Sequence, residues 1–97
     1  MQDVITTEKL EKYTDITKQA IAKVKLVPGS WEEKAQDMLD MAQRYYSDAN
    51  YFRQKGDLVT AFAALNYAHG WLDAGARLGF FDVEKDNLIF TIRKEES

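Results

Sequence analysis

The three residues Lys55-Gly56-Asp57 constrain this chain more than any others. They separate two long segments that share a helical period. Before them, Ala35, Met38, Ala42, Tyr45, Ala49 and Phe52 recur at alternating steps of three and four, with Leu39 and Tyr46 widening the stripe. After them, Leu58, Phe62, Leu65, His69, Leu72 and Ala76 do the same. Such spacing places each set on one face of a helix. Gly56 suits a residue just past a helix end, because it takes the left-handed conformation cheaply. Asp57 suits the N-cap of the helix that follows. A connection this short forces the two helices to be antiparallel neighbours.

The rest of the chain fits around that pair. A first helix is expected at about 7–26. It is capped by Thr6 or Thr7, with Glu8 and Glu11 favoured in its first turn by the helix dipole. Leu10, Tyr13, Ala20, Val24 and Val27 form its stripe, with Ile16 or Thr17 filling the step between. "VPGS" stops it. "SWEE" then predicts a capping box in which Ser30 and Glu33 exchange hydrogen bonds. The second helix is expected at 31–55 and the third at 58–78. Ala61, Ala64, Ala68, Trp71, Gly75 and Leu78 form a second apolar stripe on the third helix, so it should be the most buried of the three. The predicted fold is all-α: an antiparallel up-and-down three-helix bundle, one domain over 1–97, with a short extended tail at 80–97. Within that tail, "LIFTI" is β-branched and aromatic, after a turn signal at Asp86-Asn87. A lone strand is not stable in water. This one must lie on the bundle, pair with a second copy, or bind a partner.

The block "YYSDANYFRQKGDLVTAFAALNYAHGWLDAGARLG", residues 45 to 79, carries a resemblance. It is similar to the DUF357 family, small archaeal proteins with a domain of unknown function. The shared features are Tyr45-Tyr46 with Asp48 and Ala49, the "KGD" turn, and "AFAALNYAHGWLDAGARLG". The resemblance implies a three-helix bundle and an archaeal, intracellular origin. It implies no activity and no catalytic residues.

Composition excludes several chemistries. The chain has no cysteine, so it has neither disulfides nor a Cys nucleophile nor Cys-based zinc. It has one histidine, and no Glu-x-x-His or His-x-x-x-His spacing, so no metal and no cofactor are expected. A net charge of −3 argues against a broad nucleic-acid surface. The lysines of the first helix (Lys9, Lys12, Lys18, Lys23 and Lys25) are interspersed with Glu8, Glu11 and Asp15, which describes a solvated mixed-charge face. RNA binding through these lysines and the tyrosines is the third-ranked reading. The N-terminus lacks the pattern of a signal peptide, and no apolar run is long enough to span a bilayer, so a cytoplasmic protein is expected.

Two sets of candidate site residues remain. Asn66, Gly70, Asp73 and Arg77 share one face of the third helix, with Tyr67 and His69 beside it. This face is either a pocket for a small polar ligand or a helix seam. As a seam, its glycines would permit close approach, with Asp73 and Arg77 an ordinary i,i+4 pair. No nucleophile with a positioned base is evident, so no catalytic residue is assigned. The second set is aromatic. Five Tyr, five Phe and two Trp are more than a thin core can hide. Trp31, Tyr46, Tyr51, one of Phe80 or Phe81, and Phe90 in the tail are the candidate interface. The leading expectation is therefore a non-enzymatic module that binds another protein or itself, as in a homodimer. A ligand-binding or enzymatic bundle using Asn66, Tyr67, His69, Asp73 and Arg77 is the runner-up.

Overall fold

A computed structural model describes residues 5–82. Three helices, α1 (Thr7–Lys23), α2 (Glu32–Gln54) and α3 (Leu58–Arg77), form an antiparallel up-and-down bundle. Two short strands, β1 (Lys25–Leu26) and β2 (Phe81–Asp82), pair antiparallel near one end, Lys25 opposite Asp82 and Leu26 opposite Phe81. The tail beyond Asp82, including "LIFTI", lies outside the described residues.

The joint that most constrained the sequence is built as its chemistry demands. Gly56 adopts φ +83°, and the amides of Gly56 and Asp57 donate back to the carbonyls of Arg53 and Phe52 at 3.0 and 2.9 Å. These are the paired bonds of a Schellman motif, which satisfy the last carbonyls of α2. The Asp57 carboxylate accepts from the Thr60 amide at 3.1 Å and caps α3. Gly79, at φ +81°, closes α3 with the same pair of bonds, Gly79 to Ala76 and Phe80 to Gly75.

All three buried residues of α2 (Ala35, Ala42 and Ala49) are alanines, spaced by seven. Ala61, Ala64 and Ala68 of α3 are buried too. Interaxial distance depends on the side chains at the contact, so this small-residue seam makes α2 and α3 the closest-packed pair. The large fully buried apolar side chains, Leu10, Leu65 and Leu72, come from α1 and α3. One cluster gathers Leu10, Tyr13 and Leu65 with Phe52, Leu58 and Phe62 near the α2–α3 turn. The other gathers Leu72 and Phe81 with Ile21, Val24, Leu26, Met38 and Leu39 at the opposite end.

Two local expectations are corrected. Helix α1 stops at Lys23, not Leu26, because Val24 is extended (ψ 132°) and the next two residues pair with β2. The Val27 amide extends that pairing by donating to the Phe80 carbonyl at 2.9 Å. Val27 also precedes Pro28, which disfavours helical backbone. At α2, Trp31 rather than Ser30 is the N-cap, and no side chain caps the helix. A turn from Gly29 to the Glu32 amide takes the place of the Ser30 box, so Ser30 sits inside the turn. Arg44 of α2 makes an exposed contact with Asp40 at 4.0 Å. An acid preceding the base by four is the better orientation on a helix.

Candidate functional site

The two apolar clusters meet at a polar waist. Thr17 of α1, fully buried, faces His69 of α3, which is 8% exposed. Thr17 Oγ1 donates to the Tyr13 carbonyl at 2.7 Å and lies 2.8 Å from His69 Nε2. The contact ties α1 to α3. One turn further along α3, Arg77 Nε donates to both carboxylate oxygens of Asp73 at 3.1 Å. The Asp73 side chain is nearly buried, while that of Arg77 is largely in solvent. No buried side-chain nitrogen or oxygen among the described residues lacks a partner.

The polar face of α3 is thus divided. His69 and Asp73 turn inward, while Asn66, Tyr67 and Arg77 are exposed. Tyr67 stacks on Tyr45 of α2 (5.2 Å between centroids), on the α2 side of the helix. The two mid-helix glycines differ as well. A Cβ on Gly70 would meet nothing, whereas one on Gly75 would overlap the edge of the Phe81 ring. The close approach at Gly75 is therefore to the β2 segment and not to another helix. Among the described residues no three His, Asp or Glu side chains gather as a metal site requires.

The aromatic candidates separate just as clearly. Phe81, packed against Gly75, is buried and unavailable as an interface. Tyr46 is half-buried against the cluster near the α2–α3 turn. Tyr51 is exposed at that end, edge-on to Phe52 and under Lys55 Nζ. Phe90 lies outside the described residues. Trp31 and Phe80 come together at the other end, stacked at 6.1 Å and 25°. They line a cleft of about 350 Å³ with Val27, Pro28, Leu78 and Gly79. Trp31 is 57% exposed and Leu78 64%. No charged residue lines this cleft, although Lys34 Nζ sits 6.0 Å from the Trp31 ring at its edge.

The family model for DUF357, described as a protein of unknown function, matches residues 12–81. The chain belongs to the DUF357 family. Comparison with curated proteins finds no match, and comparison with solved structures finds none either. No helix among the described residues of this DUF357 protein is long and apolar enough to cross a membrane.

Val27 and Leu78 are cleft residues that their sequence pattern assigned to core stripes. Both lie past the end of a helix, Val27 beyond β1 and Leu78 at the C-cap of α3, where the 3.6-residue period no longer says which way a side chain faces. The neighbouring signals were Pro28 and Gly79, which mark where each helix has to end. The Thr17–His69 bond was legible only in part: the period placed Thr17 near the seam, but spacing within one helix cannot name a partner 52 residues away.

Proposed function

We propose that this DUF357 protein is a non-enzymatic interaction module whose docking surface is the cleft between Val27, Trp31, Leu78 and Phe80. The observation that supports this reading is the exposure of Val27, Trp31 and Leu78 on one concave surface, with half-buried Phe80 in its wall. A small chain has few large apolar residues to spare from its core. Clustered exposure of this kind marks a binding surface more often than scattered exposure does. Trp and Leu in a concave, uncharged setting suit the anchor residues of a protein partner. The polar waist supports the same reading from the other side. His69, the residue best suited to acid–base chemistry, is buried and held by Thr17 between two helices.

The test is affinity capture from native-cell extract with the parent chain and with Trp31→Ser, alongside sedimentation of each. A stoichiometric protein, or a second copy, held by the parent and lost by the variant at unchanged helicity supports the reading. Identical capture and identical sedimentation by both chains overturn it.

A further inference from the structure

The cleft opens beside the place where the described chain ends, and that position argues for a particular occupant. We propose that it takes residues 88–92 of this same chain, Leu88-Ile89-Phe90-Thr91-Ile92. The inference rests on reading the cleft as a docking surface and adds its regulation: the C-terminal segment competes with an outside partner for Trp31 and Leu78.

Reach is the first argument. Phe80 lines the cleft and stands two residues before Asp82, the last residue of β2. The bonds of β1 to β2, and of Val27 to Phe80, hold that exit point against the cleft. Residues 83–87 can span up to roughly 17 Å when extended, while Phe80 lies about 7 Å back along the strand. The tether is long enough to return. It is also short enough to keep the segment at an effective concentration on the order of millimolar. A second copy would have to give up translational freedom that the tethered segment has already lost.

Chemistry is the second argument. The cleft has an apolar lining without a charged side chain. Before residue 88 stand Glu84, Lys85 and Asp86, and after residue 92 stand Arg93, Lys94, Glu95 and Glu96. Only 88–92 offers an uncharged run, with Leu88, Phe90 and Ile92 as its large alternating side chains. Size agrees: at about 350 Å³ the cleft takes a few side chains and is too small for a whole helix, which is about 10–12 Å across.

The chain has no cysteine, so an introduced pair reports proximity cleanly. The experiment uses the full chain carrying Pro28→Cys and Thr91→Cys, oxidised by glutathione disulfide. A protein disulfide forms only if the Cα atoms come within about 7 Å. The expected product is an intrachain disulfide at monomer mass. A control pair, Lys55→Cys with Thr91→Cys, reaches toward the opposite end of the bundle and stays reduced. Two outcomes overturn the proposal: a Pro28–Thr91 pair that also stays reduced, or one that yields linked dimers, which assigns the cleft to a second copy. Acrylamide quenching gives an independent readout in a Trp71→Phe background, where Trp31 is the sole tryptophan. Phe90→Ser should raise the quenching of Trp31 about twofold by shifting the segment to its released state. Unchanged quenching also overturns the proposal. If both readouts fail while Trp31→Ser still loses the captured partner, this inference falls and the interaction reading stands. If both succeed while Trp31→Ser captures the same partner as the parent, the interaction reading falls and this inference stands.

Discussion

Two regions of this molecule invert the usual distribution of side chains, and they do so in opposite ways. At the waist, polar Thr17, His69 and Asp73 are inside. At the end beyond β1 and β2, apolar Val27, Trp31 and Leu78 are outside. The first inversion is complete in itself. Burying a polar group is costly unless it is bonded, and here each buried polar side-chain atom has its partner. The second inversion is unfinished, because nothing in the described fold covers those side chains. Thr17 and His69 connect α1 to α3, while Asp73 pairs with Arg77 within α3. On the reading proposed above, the exposed apolar end is the surface a partner would cover.

Leu72 and Leu78 put that contrast to its strongest test. They are one residue type near the same end of α3, one 1% exposed and the other 64%. Leu72→Ala should cost about 2–5 kcal/mol, read from the urea midpoint. A cost no larger than that of a change at Leu78 would mean the cluster around Leu72 does not hold this end of the bundle. Gly75→Ala comes next, at about 1–3 kcal/mol, because its Cβ would overlap the edge of the Phe81 ring. Displacing Phe81 should also loosen the β1–β2 pairing and the cleft beside it. A fully tolerated alanine would show that Phe81 is not seated in that notch. Thr17→Val keeps the shape of the waist and removes its hydroxyl. It should cost about 1–3 kcal/mol, because His69 Nε2 then loses Thr17 as its hydrogen-bond partner inside the bundle. A change under about 0.5 kcal/mol would make the waist an incidental contact.

The architecture was legible because it rests on local rules. The alternating threes and fours of Ala35 to Phe52 placed α2's inner face, and Gly56-Asp57 set the antiparallel turn through a conformation and a cap that few residues supply. What failed depended on long-range pairing. The stripe running to Val27 implied a longer α1, but pairing of Lys25–Leu26 with Phe81–Asp82 overrode it from the far end of the chain. The Ser30–Glu33 motif was locally correct and lost to the turn at Gly29. For the candidate site, aromatic surplus pointed to Trp31, Tyr46, Tyr51 and one of Phe80 or Phe81, of which Trp31 is exposed with Phe80 half-buried beside it. It could not rank Phe80 over Phe81, since adjacent residues differ only in which faces Gly75.

A subtler effect separates the capped joint from both inverted regions. The Thr60 hydroxyl and amide, both bonded to Asp57, hold its carboxyl below the ordinary value of 3.8. A group whose folded pKa is depressed binds its proton more readily when unfolded. The stability it contributes is therefore fully present above its unfolded value and is lost as pH falls through the folded one. Asp57→Asn keeps a capping oxygen and removes the titration. Urea midpoints of the two chains should run parallel near neutral pH, with the parent alone carrying this loss below about pH 4. Curves that stay parallel throughout would remove Asp57 from the acid response.

The smallest change in stability should accompany the largest change in association. Leu78→Ser alters a side chain that is mostly in solvent, so the urea midpoint should move by no more than about 0.5 kcal/mol. If the cleft is a docking surface, the same substitution removes one of its apolar walls, and partner capture should drop even though the helices remain. That dissociation of effects is what distinguishes a binding surface from an end of the core. Suppose instead that Leu78→Ser lowers stability as much as Leu72→Ala does. Then Leu78 is held by contacts outside residues 5–82, and the contrast between the two ends of the molecule would have to be drawn again with those contacts included.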